Sequence, residues 1–259
     1  MADQSRPLAL VTGASSGIGA DLARELARDG YDLVLTARSV APLEALAAEL
    51  EGHGAASVVI PDDLGKPGGA PELVKAVEAG GREIEVLVNN AGLGAIGRFD
   101  QMEPQRIGDM LQVNIVALTE LTRLLLPGMV VRRRGKVLLV ASTASFQPGP
   151  RMAVYFATKA YVLSFGEALA YELRGSGVTV TVLCPGATAT NFFKTAGAND
   201  IALRPTMSAA EVARIGYRAL KAGRRVAVAG LLNRVLAVGG RLAPHSLTLP
   251  ATNALMSRR

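Results

Sequence analysis

The chain has 259 residues and a net charge of +6, with 49% hydrophobic and 19% charged residues. This composition predicts one folded domain with a sizeable core and excludes a largely disordered chain. Aromatic residues make up only 4% of the sequence and Trp is absent, which argues against stacking platforms for nucleic acid.

Short apolar runs alternate with longer helical patterns along the chain. The strands are predicted at 8–12, 32–37, 57–61, 86–89, 136–141, 178–184 and 226–229. The helices are predicted near 18–29, 40–51, 70–80, 104–131, 153–175 and 208–223. This alternation favours βαβ units with right-handed crossovers. We therefore expect an α/β fold of one domain: a Rossmann-like, doubly wound parallel sheet of about seven strands with helices on both faces.

A glycine-rich loop, Thr12-Gly-Ala-Ser-Ser-Gly-Ile-Gly19, joins the first predicted strand to the first helix. Glycine permits a tight turn and close approach of a pyrophosphate, and the helix N-terminus offers free N–H groups. The spacing differs from G-x-G-x-x-G, and an ordinary strand–helix turn has similar composition, but the flanking elements supply the context of a dinucleotide site. The predicted contacts are Gly13, Ser15, Ser16, Gly17, Ile18 and Gly19.

The end of the second predicted strand bears on the choice of cofactor. Folds that prefer NAD usually have an acidic residue there, which binds the ribose hydroxyls. This chain has Ala37 followed by Arg38 and Ser39. Because arginine binds phosphate through a bidentate fork, we expect NADPH (NADP+) rather than NADH. Arg38 would hold the 2′-phosphate with help from Ser39 and Ser15, although a surface role for Arg38 is the alternative.

Tyr155 and Lys159 are four residues apart in a helical pattern and therefore share one helix face. A nearby ammonium should lower the pKa of a phenol, which is ordinarily near 10. Tyr155 can then exchange a proton with a carbonyl or alcohol oxygen. Ser142, after the fifth predicted strand, can hydrogen-bond the same oxygen.

Taken together, these motifs resemble the short-chain dehydrogenase/reductase family, in its NADPH-type carbonyl reductase branch. The resemblance covers roughly residues 6–229, and the motifs occur in the family's order with its usual spacing from Ser142 to Tyr155. The motifs are the Thr12–Gly19 loop, Asn89-Asn-Ala-Gly92, Asn114, Ser142, Tyr155-x-x-x-Lys159 and Pro185-Gly186. The family commonly has Ser before the active lysine, whereas this chain has Thr158, a mild change.

The resemblance implies a catalytic set of Asn114, Ser142, Tyr155 and Lys159, with Asn114 holding a water that links Lys159 to solvent. It implies that Tyr155 and Lys159 also bind the cofactor. The further implied cofactor contacts are Asp63, Leu64, Asn90, Ala91, Gly92, Pro185, Gly186, Thr188 and Thr190. It implies assembly as a homodimer or homotetramer through the helices at 104–131 and 153–175, with Tyr161 and Phe165 as contact residues.

Apolar residues near the motifs indicate the substrate. The expected pocket residues are Leu93, Ile96, Phe146, Met152, Phe192 and Phe193, which suggests an apolar ketone or aldehyde. Residues 187–207 interrupt the α/β pattern after a strand, and we expect a lid there. Apolar residues of this kind also occur in cores, so the pocket rests on a weaker argument than the catalytic set.

The segment 230–259 extends beyond the predicted sheet and combines leucines with arginines. A basic amphipathic helix can lie on an anionic membrane surface, but packing on its own domain or on a partner subunit is the preferred interpretation. No apolar stretch is expected to reach the roughly 18–20 residues that span a bilayer.

A single cysteine, Cys184, in an apolar run suggests a buried thiol and a cytoplasmic protein. No metal site is expected from His53 and His245, and no nucleic-acid partner.

Three functions fit this sequence. The first is reduction of an apolar carbonyl compound by NADPH. The second is an NADP-dependent alcohol or hydroxy-amino-acid dehydrogenase working in the opposite direction, because one tyrosine serves both. The third is a non-catalytic NADPH-binding regulator, against which the intact catalytic set argues.

Overall fold

The computed structural model describes residues 6–197 and 207–257, in which the strands form one main sheet and one short ribbon. The main sheet contains β1 (Leu8–Thr12), β2 (Asp32–Thr36), β3 (Ser57–Val59), β4 (Ile84–Asn89), β5 (Gly135–Val140), β6 (Val178–Cys184) and β9 (Val226–Val228). The ribbon pairs β7 (Thr188–Ala189) with β8 (Met207–Ser208).

All seven strands of the main sheet are parallel, in the order β3-β2-β1-β4-β5-β6-β9. Every residue of β1 and β2 is buried, as expected for strands that are covered on both faces. The predicted doubly wound fold is confirmed, and the strand ends differ from the predicted ones by about two residues at most.

Helices cover both faces of the sheet, and further helices lie at the carboxyl ends of its strands. The helices are α1 (Gly17–Arg28), α2 (Val40–Glu51), α3 (Gly69–Ala79), α4 (Pro104–Leu111), α5 (Leu118–Val131), α6 (Ala153–Glu172), α7 (Phe192–Thr195), α8 (Ala209–Lys221), α9 (Leu231–Leu242) and α10 (His245–Ser257). One core cluster contains residues of α1, α2 and α8, and a second contains residues of α3, α5 and α6. Cys184 is fully buried in the second cluster, which confirms its predicted position.

A π-helical turn, Gln112–Ala117, joins α4 to α5, so that the helix is continuous from Pro104 to Val131. The predicted bounds of this helix are confirmed, but the sequence pattern does not predict its π-helical turn. Such turns occur frequently at functional sites, and this one contains Asn114.

The continuous helix Pro104–Val131 also corrects an expectation about membrane-spanning length. By length and composition alone it could cross a membrane, with a mean hydropathy of 1.4 over an 18-residue window. In the fold, however, Leu118, Leu121 and Met129 on this helix are buried in the second core cluster. The helix is therefore part of a helical layer that packs on the sheet of the α/β domain.

Candidate active site

A cavity of about 1070 Å³ lies at the carboxyl ends of the parallel strands, where ligands bind in open α/β sheets. Its volume is at the upper end of the range for ligand pockets. The predicted residues that line it are Gly13, Ser15, Ser16, Gly17, Ile18, Arg38, Ser39, Asp63, Leu64, Asn90, Ala91, Gly92, Leu93, Ser142, Met152, Tyr155, Lys159, Pro185, Gly186, Thr188, Thr190, Phe192 and Phe193. The fold thus brings most of the predicted residues to one place.

The glycine loop after β1 has a backbone that requires its glycines. Gly13 and Gly17 have φ angles of 64° and 57°, values that residues other than glycine rarely adopt. A Cβ atom at Gly19 would lie 2.3 Å from the carbonyl oxygen of Gly13, so Gly19 supports the loop without lining the cavity. Ser16 begins α1 and makes no side-chain capping bond. The first N–H groups of α1 therefore remain available to an anion, which fits the phosphates of a dinucleotide.

Hydrogen bonds tie the loop after β4 to the glycine loop. The Thr12 hydroxyl accepts hydrogen bonds of 3.0 Å from the backbone N–H groups of Asn90 and Ala91. The Asn90 amide donates to the carbonyl oxygens of Thr12 and Gly13, at 3.0 and 3.1 Å. The two loops therefore form one rigid floor of the cavity.

The adenosine end of the cavity, as the family resemblance orients it, is lined by Arg38, Ser39, Asp63 and Leu64. Arg38 is exposed just beyond β2 and forms no ion pair with any residue within 6–197 or 207–257. Its guanidinium is thus available to a phosphate. The Asp63 carboxylate accepts a 3.0 Å hydrogen bond from the N–H of Gly65, which shapes the turn after β3.

Tyr155 and Lys159 are both buried on α6, beneath the ends of β5 and β6. The Lys159 ammonium lies 5.8 Å from the centre of the Tyr155 ring and donates a 2.8 Å hydrogen bond to the carbonyl oxygen of Val140. Ser142 follows β5, and its hydroxyl accepts a 3.1 Å hydrogen bond from the N–H of Ala144. The three residues come from two elements that meet at the cavity.

Burial controls the proton affinities of this group. It raises the pKa of Tyr155 to about 12, against the opposing effect of a hydrogen bond with the Ser142 side chain. Burial also lowers the pKa of Lys159 to about 8. The expectation that Lys159 lowers the pKa of Tyr155 is wrong for the protein alone, because desolvation disfavours the phenolate more strongly than its neighbours favour it.

Asn114 is fully buried in the π-helical turn and does not line the cavity. Its side-chain oxygen accepts a 2.8 Å hydrogen bond from the N–H of Leu93, and its amide donates to the carbonyl of Leu93 and the hydroxyl of Thr158, at 2.9 and 3.0 Å. Asn114 therefore joins the loop that follows Gly92 to the helix that carries Tyr155 and Lys159.

Aromatic and aliphatic side chains form the other end of the cavity. The Phe192 ring lies 5.1 Å from the Tyr155 ring and covers Gly94, where a Cβ atom would lie 2.5 Å from it. Two predicted pocket residues do not line the cavity. Ile96 packs behind it against the cluster that contains Tyr155, and Phe146 faces the second core cluster. Of the predicted lid, residues 198–206 lie outside the described residues.

The C-terminal helices contribute a wall that the sequence analysis missed. Leu232, Asn233, Leu236 and Ala237 of α9 line the cavity, as do Leu247, Thr248, Ala251, Thr252 and Met256 of α10. Met256 belongs to the same buried cluster as Tyr155 and Met152. These residues are about 80 to 100 positions from Tyr155 in sequence, and their only sequence signal is the apolar character of the segment.

Other lining residues were also missed by the sequence analysis. Thr36, Asp62, Gly65 and Lys66 line the cavity. Within the described parts of the chain, no group of three or more His, Cys, Asp or Glu side chains is placed to hold a metal ion.

Several known proteins are similar to this chain in sequence and fold. A short-chain dehydrogenase from Sphingobium yanoikuyae in complex with NADPH is 34% identical, with a TM-score of 0.81 over 90% of this chain and 92% of that one. A short-chain dehydrogenase/reductase from Burkholderia phymatum in complex with NAD is 25% identical, with a TM-score of 0.81 over 92% and 94%. The ketoacyl reductase HetN of Nostoc is 35% identical over 68% of this chain, a match that spans 62% of that protein's own length.

The family model for short chain dehydrogenase matches residues 7–200, which include the glycine loop, Ser142, Tyr155 and Lys159. Members of this family are oxidoreductases that bind a nicotinamide cofactor and act on hydroxyl or carbonyl groups. On its fold, its motifs and this match, the chain belongs to the short-chain dehydrogenase/reductase family.

Proposed function

We propose that this protein reduces an apolar ketone or aldehyde to the alcohol with NADPH, reversibly, and that Tyr155 is the proton donor. The observation that carries the proposal is the position of the Tyr155 phenol. It lies close enough to the Ser142 side chain for Ser142 to lower its pKa against the effect of burial, and it lies beside the apolar wall that contains Phe192. A carbonyl group that enters the cavity can meet both hydroxyl groups while its substituents remain among apolar side chains.

The protein's own groups suffice for the proton half of the reaction. NADPH, held by the glycine loop and Arg38, would supply a hydride to the carbonyl carbon and would be oxidised to NADP+. Tyr155 transfers its phenolic proton to the carbonyl oxygen as the C=O double bond becomes a C–OH single bond. Ser142 donates a hydrogen bond to the same oxygen as negative charge develops on it. The phenolate that forms is stabilised by the Lys159 ammonium, which is held by Val140.

The preference for NADPH is supported by the residues that follow β2. Arg38 and Ser39 line the cavity there, and Ala37 occupies the position where an acidic residue would repel a 2′-phosphate. The relative from Sphingobium binds NADPH and the one from Burkholderia binds NAD, so the family alone does not decide the matter. The proposal therefore rests on Arg38.

The substrate class is supported by the side chains at the Tyr155 end of the cavity. Leu93, Met152, Phe192, Phe193, Leu236 and Met256 are all apolar and line it. The ketoacyl reductase among the relatives acts, by its name, on a carbonyl compound with an acyl chain. We therefore favour a ketone or aldehyde with a long or bulky apolar group.

We also propose assembly and location. The exposed faces of the continuous helix Pro104–Val131 and of α6 include Val116, Leu124, Val131 and Tyr171, which would be covered in a homodimer or homotetramer. Tyr161 and Phe165 stack on each other, with ring centres 5.7 Å apart, next to this surface. A cytoplasmic location is consistent with the single buried cysteine.

The first experiment follows NADPH oxidation with a panel of ketones and aldehydes of graded size and polarity. Tyr155→Phe should lower turnover by about 10²- to 10⁴-fold while NADPH still binds. Tyr171→Phe, on the exposed side of the same helix, is the matched control and should keep full activity. Substantial turnover by Tyr155→Phe would refute the assigned proton donor. Binding of NADPH without turnover of any compound would favour a regulatory role.

A further inference from the structure

Helix α9 presents its apolar residues to the outside. Its buried residues are Asn233, Ala237 and Gly240, which are spaced so that they share one face. The opposite face carries Leu231, Val235, Val238 and Leu242, which are 59–78% exposed. This pattern is the reverse of that of an ordinary surface helix, whose large aliphatic residues face the core.

Close backbone contacts explain why the small residues face inward. A Cβ atom at Gly186 would lie 2.4 Å from the Asn233 amide, and one at Gly240 would lie 2.8 Å from the side-chain oxygen of Gln147. The Asn233 amide also donates a hydrogen bond to the carbonyl oxygen of Ala229. Helix α9 is therefore seated firmly on the loops of the active site, and its orientation leaves the leucine and valine stripe without cover in the described structure.

The same face reaches the opening of the active-site cavity. Leu232 and Leu236 lie beside the outward stripe, and Leu247 lies at the start of α10. All three are largely exposed, and all three also line the cavity. An apolar surface thus continues from the outside of α9 to the cavity that contains Tyr155.

The charge of this region has one sign. Residues 231–257, which form α9, α10 and the turn between them, contain no Asp or Glu. Apart from His245, their basic residues are Arg234 and Arg241. On α9, Arg234 and Arg241 lie along the flank of the apolar stripe opposite Leu232 and Leu236.

We propose that α9 and the start of α10 dock on the surface of an anionic lipid bilayer, with the cavity opening at that surface. The outward stripe would enter the boundary between headgroups and acyl chains, and Arg234 and Arg241 would meet lipid phosphates. A second copy of the chain fits less well. An antiparallel twofold pairing of this face would bring the arginine flanks together, with no carboxylate on α9 or α10 to compensate them.

Docking of this kind has a consequence for the reaction, which rests on the proposed function. An apolar carbonyl compound dissolved in the bilayer would reach Leu232, Leu236 and Leu247 without crossing water. The apolar surface of the compound that this route keeps out of water would grow with the length of its hydrocarbon chain. The docking itself does not depend on turnover and is tested separately.

The test measures co-sedimentation of the full chain with vesicles of phosphatidylcholine alone, and with equimolar phosphatidylcholine and phosphatidylglycerol. The wild type should bind the anionic vesicles and bind the neutral ones weakly. Val235→Glu/Val238→Glu should reduce binding about tenfold or more, since carboxylates on the outward stripe oppose burial among acyl chains. Arg234→Gln/Arg241→Gln should reduce binding to the anionic vesicles about tenfold, with a smaller effect of added salt.

Val58→Glu/Phe99→Glu is the matched control, because these residues are similarly exposed but lie outside the C-terminal segment. It should bind vesicles like the wild type. Thermal unfolding of all variants should be unchanged, since none of the replaced side chains is buried.

Three results would overturn the proposal. These are failure of the wild type to bind anionic vesicles, equal binding by the Val235→Glu/Val238→Glu variant, and conversion of an oligomer to monomers by that variant in sedimentation velocity. The last result would assign the face to a second copy. Because vesicle binding is measured without substrate, the docking can fail while the proposed reductase activity stands, and the converse also holds.

Discussion

The Lys159 ammonium lies beneath the Tyr155 ring, 5.8 Å from its centre, in a site where both side chains are buried. Burial moves their pKa values in opposite directions, to about 8 for Lys159 and about 12 for Tyr155. At neutral pH the pair is therefore an ammonium next to a protonated phenol. This is the protonation state that reduction of a carbonyl requires, because the phenol must give a proton and the ammonium must stabilise the phenolate left behind.

The first prediction concerns pH. Lys159 is charged below its pKa of about 8 and neutral above it, while Tyr155 stays protonated throughout this range. The rate of carbonyl reduction should therefore fall as the pH rises through about 8. Measurement of kcat/KM from about pH 6 to about pH 10, a span that brackets this titration, checks the fall. Lys159→Arg, whose guanidinium stays charged to about pH 12, should remove the fall even if its overall rate is lower.

A reduction rate that stays level through about pH 8 in the wild type would contradict the assigned role of Lys159. So would an identical fall in the Lys159→Arg variant, because another group would then be responsible.

The second prediction concerns the choice of cofactor. Arg38→Asp should weaken NADPH binding and shift the preference toward NADH by about 10- to 100-fold, because it exchanges a charged donor for a carboxylate that repels a 2′-phosphate. The dissociation constants of both cofactors, measured by fluorescence titration, check the shift. Arg218→Asp on α8 is the control, since Arg218 is exposed and does not line the cavity. An unchanged ratio in Arg38→Asp would remove Arg38 from the phosphate site.

The third prediction concerns Phe192, whose ring lies over Gly94 and beside Tyr155. Phe192→Ala should lower kcat/KM for bulky aromatic ketones by about tenfold or more, through loss of apolar contact. It should leave NADPH affinity nearly unchanged. Steady-state kinetics with a bulky and a small ketone separate the two effects. Phe99→Ala, at an exposed position, should change neither. Equal losses with both ketones would indicate a structural role for Phe192.

The fourth prediction concerns packing of α6 on the sheet. A Cβ atom at Gly166 would lie 2.3 Å from Val182 and 3.0 Å from Leu139. Gly166→Ala should therefore lower the free energy of unfolding by about 1–3 kcal/mol. A Cβ atom at Gly108 on α4 would meet no atom of another part of the described chain within 4 Å, so Gly108→Ala should raise it by about 0.5–1 kcal/mol through better helix propensity. Urea denaturation checks both changes. An equal change in the free energy of unfolding in the two variants would show that the contact at Gly166 is relieved at little cost.

The fold was predictable because its signals are local and repeated. The strands β1 and β6 are rich in apolar and β-branched residues, and their predicted bounds are those of the structure. The helix from Pro104 to Val131 is likewise predicted in full. Its π-helical turn is not, because a change of helical hydrogen bonding at Asn114 depends on the partners that Leu93 and Thr158 provide.

The motifs of the candidate site could also be identified from the sequence, because each is a short pattern at the end of a parallel strand and such ends share one edge of the sheet. The direction in which each side chain points was harder to predict from the sequence. Ile96 and Phe146 were both predicted to line the pocket, yet Ile96 packs behind the cavity and Phe146 faces the core. Apolar character does not distinguish a pocket wall from a core position, since both exclude water.

The amino-acid sequence by itself determined the family, the sheet and the set Ser142, Tyr155 and Lys159, because these depend on patterns within one segment or on their order along the chain. Only the tertiary structure decided how the C-terminal segment is placed. Periodicity would turn the leucines and valines of α9 inward, but the close approach at Gly186 and Gly240 admits only the small face of this helix. Contacts between residues distant in sequence therefore oriented α9, and they placed its apolar face at the opening of the active site.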